Sequence, residues 1–346
     1  MKILLVCGQA SAIQGWGNME TTEKMKCALE SYGHWVVVLY VESNEELIRH
    51  IKYNEYDLVW SSIYYFTDNI KCINNINEKT CVMDILREMG VAYVGANAEV
   101  MKNMINKKKT IELLEKYGLS THQQYVLEKG SAIPKLDFTK KWFVKPCFES
   151  ESNGVSEKSI VHNEEELNER VQYILENYNQ HALVEEYLSG DEYTTAIIGN
   201  KEKVTVLPIK NVVSSKAYER YPVITQNLKT DKMLSFEIPY DEMEELNKLA
   251  IEAAKALGVC DTVRIDIRKN ESGEFRVIEL NGIPGLNPIK SRIFEIYNLY
   301  NPQNSKEQNY AELVNKIVIA AKERYNEFVE GKSYEEGKDS VELQVT

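Results

Sequence analysis

Two stretches near the C-terminal end decide the fold: Val263-Arg264-Ile265-Asp266-Ile267-Arg268 and Val277-Ile278-Glu279-Leu280-Asn281-Gly282-Ile283-Pro284-Gly285. Side chains two apart on a strand share a face. Arg264 and Asp266 therefore point one way, with Ile265 and Ile267 the other, and Glu279 and Asn281 share a face with Ile278 and Leu280 behind them. Between the stretches, Asn270-Glu271-Ser272-Gly273 reads as a hairpin turn. The hairpin brings two carboxylates and an amide oxygen together beside one arginine. Hard oxygen donors of this kind suit Mg²⁺, which takes one or two carboxylates plus substrate phosphates. The plain alternative is a solvated outer face, since polar alternation is ordinary in antiparallel sheets.

Working upstream, Phe143-Val144-Lys145-Pro146 is a buried strand that ends in a lysine just before a Ser- and Gly-containing loop. A lysine there, helped by loop amides, can hold a phosphate. The stretch Leu183-Val184-Glu185-Glu186-Tyr187-Leu188-Ser189-Gly190-Asp191-Glu192-Tyr193 offers acceptors and an apolar edge for a base and its sugar. The sequence contains no G-x-x-x-x-G-K-[ST], no G-x-G-x-x-G and no G-x-S-x-G, so a P-loop, a dinucleotide fingerprint and a hydrolase elbow are all excluded.

The first ~95 residues alternate strand and helix signals, which reads as a parallel sheet covered by helices. Strands are expected over residues 2–7, 35–41, 57–62 and 91–94, and helices over 20–32 and 44–52, with Asn44 as cap of the second. Beyond residue 98 come short strands at 124–127, 142–145, 158–161, 182–187, 192–198 and 204–209, with helices at 107–117, 164–178, 241–257 and 310–329. Residues 211–231 have no period and read as a long functional loop. Residues 332–346 read as a frayed polar tail.

At 346 residues the chain suits about two domains of ~150 residues. Its net charge of −12 argues against nucleic acid as partner. The longest apolar run, residues 35–41, has seven residues against the ~20 of a membrane span. The N-terminus is too short for a signal-peptide core. Six cysteines without a C-x-x-C pair suggest reduced, buried thiols in a cytoplasmic protein. Five histidines form no zinc-binding pattern.

Taken in order, these pieces resemble the ATP-grasp superfamily, and within it the D-alanine–D-alanine ligase family. The likeness runs from the first strand to about Ile296 and is strongest over 106–199 and 264–285. It implies an α/β fold in three parts: an N-terminal parallel-sheet domain (1–97), a central ATP-grasp lid (98–188) and a C-terminal catalytic subdomain (189–330), before the tail (331–346). ATP is then gripped between two antiparallel sheets. The resemblance gives Lys107 and Lys145 to the phosphates, Glu185, Glu186, Tyr187 and Leu188 to the adenine, and Glu192 to the ribose. It gives Arg264 to the charge of the reaction centre and Asp266, Glu279 and Asn281 to two Mg²⁺ ions, with Mn²⁺ as the alternative metal. Lys216, in the loop, corresponds to a lysine that reaches the γ-phosphate on closure, and Gly285 lies close to the second substrate. The implied activity joins a carboxylate to an amine, amino acids foremost, through an acyl phosphate; a homodimer through the N-terminal domain is implied too.

The departures from the family pattern all lie at the amino-acid end. A first-loop Ser-Ala-Glu-x-Glu, whose last acid holds an ammonium in the family, is here Ser11-Ala12-Ile13-Gln14-Gly15. A His-Gly-rich segment is replaced by Ser61-Ser62-Ile63-Tyr64-Tyr65. The lid loop reads Ser150-Glu151-Ser152 where Gly-Ser-Ser is usual, and the serine for the acceptor carboxylate falls at Lys290, beside Ser291. Three readings follow: a ligase with an altered substrate, a D-alanine–D-alanine ligase with a remodelled pocket, or a nucleotide-binding protein without turnover. In the first two, Glu20 or Glu151 is a candidate holder of a displaced amine, and Tyr64, Tyr65, Tyr218 and Tyr221 are candidates to line a larger pocket.

Overall fold

Strand β1 (Lys2–Cys7) is apolar from Ile3 to Cys7 because it runs through the middle of a parallel sheet and is covered on both faces. The structure, a computed structural model, describes residues 1–67, 71, 73, 76–149, 152–225 and 233–329. After β1 come a single turn, α1 (Ser11–Gln14), then α2 (Met19–Glu30), β2 (Trp35–Tyr40), α3 (Asn44–Lys52), β3 (Leu58–Ser61) and α4 (Val82–Glu88). The sheet order is β2-β1-β3, all parallel. The cap of α3 is Ser43, not Asn44: its hydroxyl accepts the Glu46 N–H at 3.3 Å. The expected fourth strand at 91–94 reduces to one bridge, Tyr93 to Val59, because the chain turns away at Gly95, which adopts a positive φ.

Helices α5 (Ala98–Ile105) and α6 (Lys107–Lys116) meet at Asn106, which ends the first and caps the second by accepting the Lys109 N–H. The kink sets Lys107 at the very start of α6. Next come β4 (Gln124–Leu127), β5 (Trp142–Pro146), β6 (Ile160–Val161), α7 (Glu164–Tyr178) and β7 (Ala182–Glu186). These strands form an antiparallel sheet in the order β4-β7-β5-β6, with α7 packed on it. The strand expected at 158–161 is shorter, since Glu157–Ser159 forms a single 3₁₀ turn.

The third sheet takes β8 (Glu192–Ile198), β9 (Thr205–Val213), β10 (Leu234–Glu237), then, after α8 (Met243–Leu257), β11 (Thr262–Lys269) and β12 (Phe275–Asn281). Its order is β10-β9-β8-β11-β12 and every pairing is antiparallel. Strand β9 continues to Val213, so the loop expected from 211 starts later: Asn211 pairs with both Glu192 and Phe236. Helices α9 (Arg292–Tyr300) and α10 (Lys306–Val329) close the chain, with α10 beginning one turn earlier than its apolar period suggests. The tail at 331–346 lies outside the described residues. Among the described residues no helix is long and apolar enough to cross a membrane. Cys7, Cys81 and Cys147 are buried free thiols as expected, while Cys27 is exposed and Cys260 half-buried.

One buried ion pair joins the first and third sheets. Asp261, fully buried and in a left-handed conformation (φ 65°), accepts Arg324 Nε at 2.9 Å and Arg324 Nη2 at 2.7 Å. It also accepts the Gly95 N–H at 2.8 Å and Asn200 Nδ2 at 2.9 Å. Arg324 donates in turn to the Tyr93 and Gly95 carbonyls. Removing one partner strands a charge away from water. Arg324→Ala is therefore expected to cost about 3–5 kcal/mol of unfolding free energy, read as a lower urea midpoint.

Candidate active site

The two antiparallel sheets face each other across a cavity of about 600 Å³. Its floor comes from β11 and β12. Arg264 pairs with Asn281 in register and Asp266 with Glu279, so the hairpin assembles the group that the alternation implies. Arg264 Nη2 lies 2.9 Å from Asp266 Oδ2 and 3.7 Å from Glu279 Oε1, and Asn281 Nδ2 is 3.3 Å from Glu279 Oε1. Ile265 and Ile267 are fully buried behind them. One residue departs from the pattern. A β-bulge falls where Asp266 faces Glu279 but Ile267 faces Val277, which leaves Ile278 as the extra residue. Ile278 thus joins Glu279 on the cavity wall instead of lying behind it.

Two lysines from separate elements reach this floor. Lys107 Nζ lies 3.3 Å from Glu279 Oε2 and donates to the Glu149 carbonyl, while its backbone N–H bonds Cys147 just beyond β5. Far from being a surface helix lysine, it is buried. Lys145, buried at the end of β5, contacts Glu185 Oε1 at 2.6 Å. The other Glu185 oxygen accepts His122 Nε2 at 3.2 Å and Gln124 Nε2 at 3.1 Å. Burial alone would raise the Glu185 carboxyl, but the Lys145 ammonium and the His122 contact pull it down to about 2. Burial also opposes ionisation of Glu279, and Lys107, Lys145 and Arg264 together bring it down to about 2. Lys145, which burial alone would lower, is held above its usual range by Glu185 and Glu279.

The cluster therefore carries three cations (Lys107, Lys145, Arg264) against three carboxylates (Glu185, Asp266, Glu279). Among the described residues no three His, Cys, Asp or Glu side chains group into a metal cage. Two carboxylates and an amide oxygen instead match an ion that completes its shell with phosphate and water. The donor set fits Mg²⁺.

Toward the four-stranded sheet, Glu186, Tyr187, Leu188 and Glu192 line the same cavity. Glu186 pairs with Lys140 at 3.2 Å, and Tyr187 stacks near Phe143 at 6.2 Å. At the opposite end lie Gly285, Lys290 and Ser291; Lys290 is exposed, whereas Ser291 is buried. Lys216 is not brought to the cavity: it is exposed, and its N–H bonds Ser214 Oγ at 3.4 Å. Its loop docks on the turn before β6, where Glu157 accepts the N–H groups of Glu219 (2.9 Å) and Arg220 (3.3 Å). Tyr221 of that loop packs on Tyr187 and His162. Glu151 and Ser150 lie outside the described residues. Glu20 pairs with Lys24 at 2.9 Å on the surface of α2 and does not line the cavity. Tyr64 and Tyr65 are both buried; Tyr64 lines a small cavity beside the main one, whereas Tyr65 lines neither.

Several lining residues went unread. Arg268 follows Asp266 on the same face of β11, so strand alternation alone would have found it. Its guanidinium donates to Gly190 O, Glu192 Oε2, Tyr187 Oη and Pro222 O at 3.1–3.3 Å. Thr194, opposite Asp266 on β8, donates to Asp266 Oδ1 at 3.1 Å and accepts from Asn211. Glu149 accepts from Ile73 N, Gln180 Nε2 and Asn153 Nδ2 at 2.6–2.8 Å. The partners of Thr194 and Glu149 come from other elements, which no local pattern announces.

Residues 135–318, more than half of the chain, match the family described as D-ala D-ala ligase C-terminus. The chain belongs to that family. It is 26% identical over 201 residues to a D-alanine–D-alanine ligase of Vesicomyosocius okutanii, covering 58% of this chain and 66% of that one, just under two thirds of its length. With a D-alanine–D-alanine ligase of Desulforudis audaxviator it shares 27% identity over 269 residues, 76% of this chain and 82% of the relative. Among solved structures, the fold is similar to a D-alanine–D-alanine ligase from Bacillus anthracis complexed with ATP (TM-score 0.68, 19% identity, 94% and 99% of the two chains). It is also similar to the VanG D-Ala:D-Ser ligase from Enterococcus faecalis (TM-score 0.63, 16% identity, 92% and 99%).

The depressed carboxyls set a pH dependence. Glu185 and Glu279 hold folded values near 2 against an ordinary 4.5. Their contribution is complete above about pH 4.5 and is lost as pH falls from there toward 2. Urea midpoints of the wild-type protein are expected to drop across that window, and Glu185→Gln should flatten the slope. An unchanged slope in the variant counts against the ionised Lys145–Glu185 pair.

Proposed function

We propose that this chain is an ATP-dependent, ADP-forming ligase that joins a carboxylate to an amine through an acyl phosphate. Its first-substrate pocket is remodelled relative to D-alanine–D-alanine ligases. The observation that carries the reading is the neutral cluster of three cations and three carboxylates on the floor of a cavity between two antiparallel sheets. A triphosphate adds negative charge there, which the lysines and divalent ions must offset. On this reading residues 1–97 form the N-terminal domain, 98–188 the lid and 189–330 the catalytic part.

A carboxylate oxygen of the first substrate attacks the γ-phosphorus. The new O–P bond forms as the bond to the β-phosphate oxygen breaks, and ADP leaves. An amine nitrogen then attacks the acyl carbon and gives its proton to solvent, while the C–O bond breaks and inorganic phosphate leaves. Ordinary carboxylates are poor electrophiles; phosphorylation supplies the leaving group. Lys107 and Lys145 orient the phosphate oxygens, and Arg264 donates to the transferring phosphoryl and then to the tetrahedral oxyanion. Asp266, Glu279 and Asn281 would hold Mg²⁺, or Mn²⁺, which neutralises β- and γ-phosphate charge when bound. Glu185 keeps Lys145 aimed, while Glu186, Tyr187 and Leu188 border the adenine and Glu192 the ribose.

Remodelling of the first-substrate end rests on Gly15, the position of the family's ammonium-binding acid. A Cβ there would lie 1.8 Å from the Ser62 carbonyl oxygen, so no side chain fits. Ser62 is held in place by Ser11 Oγ at 2.6 Å and by the Val6 carbonyl at 3.1 Å. A D-alanine–D-alanine ligase of the usual pattern needs an acid at that point. A binding protein without turnover has no use for Arg264 poised among the metal ligands.

Asp266→Asn and Glu279→Gln are each expected to cut Mg²⁺-dependent ADP release at least about a hundredfold, the scale of one lost electrostatic group. Circular dichroism should show both variants folded at 25 °C, with Glu279→Gln melting lower than wild type because it removes the buried partner of Lys107 and Arg264. Normal ADP release by either variant would overturn the assignment.

A further inference from the structure

Beside the main cavity, sharing Lys107, Glu149, Arg264, Glu279 and Gly285 with it, lies a small one of about 30 Å³. Gln14, only 3% exposed, forms its wall on the N-terminal side with Gly15, Tyr64 and Ile73. Gln14 Oε1 accepts two backbone N–H groups, Tyr64 N at 2.8 Å and Tyr65 N at 3.2 Å. This pair fixes the amide's orientation, because a flipped amide would set its NH₂ against both donors. Nε2 is therefore the other end, and among the described residues it is buried without a hydrogen-bond partner. Buried donors are nearly always satisfied, so one left open at a cavity beside a reaction centre points to a ligand atom.

We propose that the first substrate is a small carboxylic acid bearing an acceptor oxygen next to its carboxylate, in place of an ammonium, and that Gln14 Nε2 donates to that oxygen. This rests on the ligase reading above. An ammonium there would face the amide donor and two cations, Lys107 and Arg264, that line the same space. The anions that also line it are engaged. Glu149 already accepts from Ile73 N, Gln180 and Asn153, and Glu279 faces Lys107 and Arg264. Gly15, next in sequence, leaves no room for a compensating acid. The volume admits a group of hydroxyl or oxo size, about that of one or two waters.

The test uses hydroxylamine, which traps an acyl phosphate as a hydroxamate and needs no acceptor amine. Full-length protein with ATP and Mg²⁺ is offered lactate, pyruvate, alanine (both enantiomers of each chiral acid) and propionate. Calorimetry with a non-hydrolysable ATP analogue reads binding of the same acids. Lactate or pyruvate should exceed alanine and propionate at least tenfold in kcat/KM and in affinity, and the two together tell a hydroxyl from an oxo group. Gln14→Glu keeps the acceptor for Tyr64 and Tyr65 and so the fold; it should move the preference at least tenfold toward alanine. Preference for alanine, equality of propionate with lactate (water alone meets the amide), uptake of none of these acids, or an unmoved ratio in Gln14→Glu overturns the inference alone. Failure of the ATP analogue to bind overturns the ligase reading, and this inference with it.

Discussion

Everything at the centre of this molecule depends on charges that are tolerable only in company. Lys107, Lys145, Arg264, Glu185, Asp266 and Glu279 come from four different parts of the chain, and most are largely withdrawn from water. Each alone would be costly to bury. Together they compensate one another, and the two sheets can close over them. The same balance suits a site that must accept a polyanion: each cation has a carboxylate to hold it in position until a phosphate takes over part of that contact.

Legibility in the sequence follows how local the cause is. The β11–β12 hairpin was readable because its polar face, its apolar face and its turn are all encoded within 25 residues or so of chain. The placements of Arg264, Asp266, Glu279 and Asn281 followed from alternation alone. Ile278 broke the rule because a bulge shifts register, and bulges leave no mark in apolar periodicity. Nothing local distinguishes the first lysine of the run Lys107-Lys108-Lys109; only the kink at Asn106 singles it out for burial. The Gln14 amide takes its orientation from two backbone groups fifty residues away, which no window on the sequence contains.

On the proposed reading, the nucleotide end and the amino-acid end of the cavity differ in kind. At the first, the residues implied by the family line the walls and are cross-braced: Glu185 by Lys145, His122 and Gln124, and Glu192 by Arg268. At the second, a glycine pressed on a carbonyl and an amide aimed by main-chain donors occupy the place of acids. On that reading phosphoryl transfer constrains the first end tightly, while the second has only to match the acid that is activated.

The Asp261–Arg324 knot has a mechanical corollary. Because it laces the Tyr93–Gly95 backbone to the root of β11 and to α10, the parallel sheet and the five-stranded sheet are bonded directly to each other by residues far apart in sequence. The four-stranded sheet lies outside this lacing: the chain enters it through residues 117–123 and leaves it through 187–191.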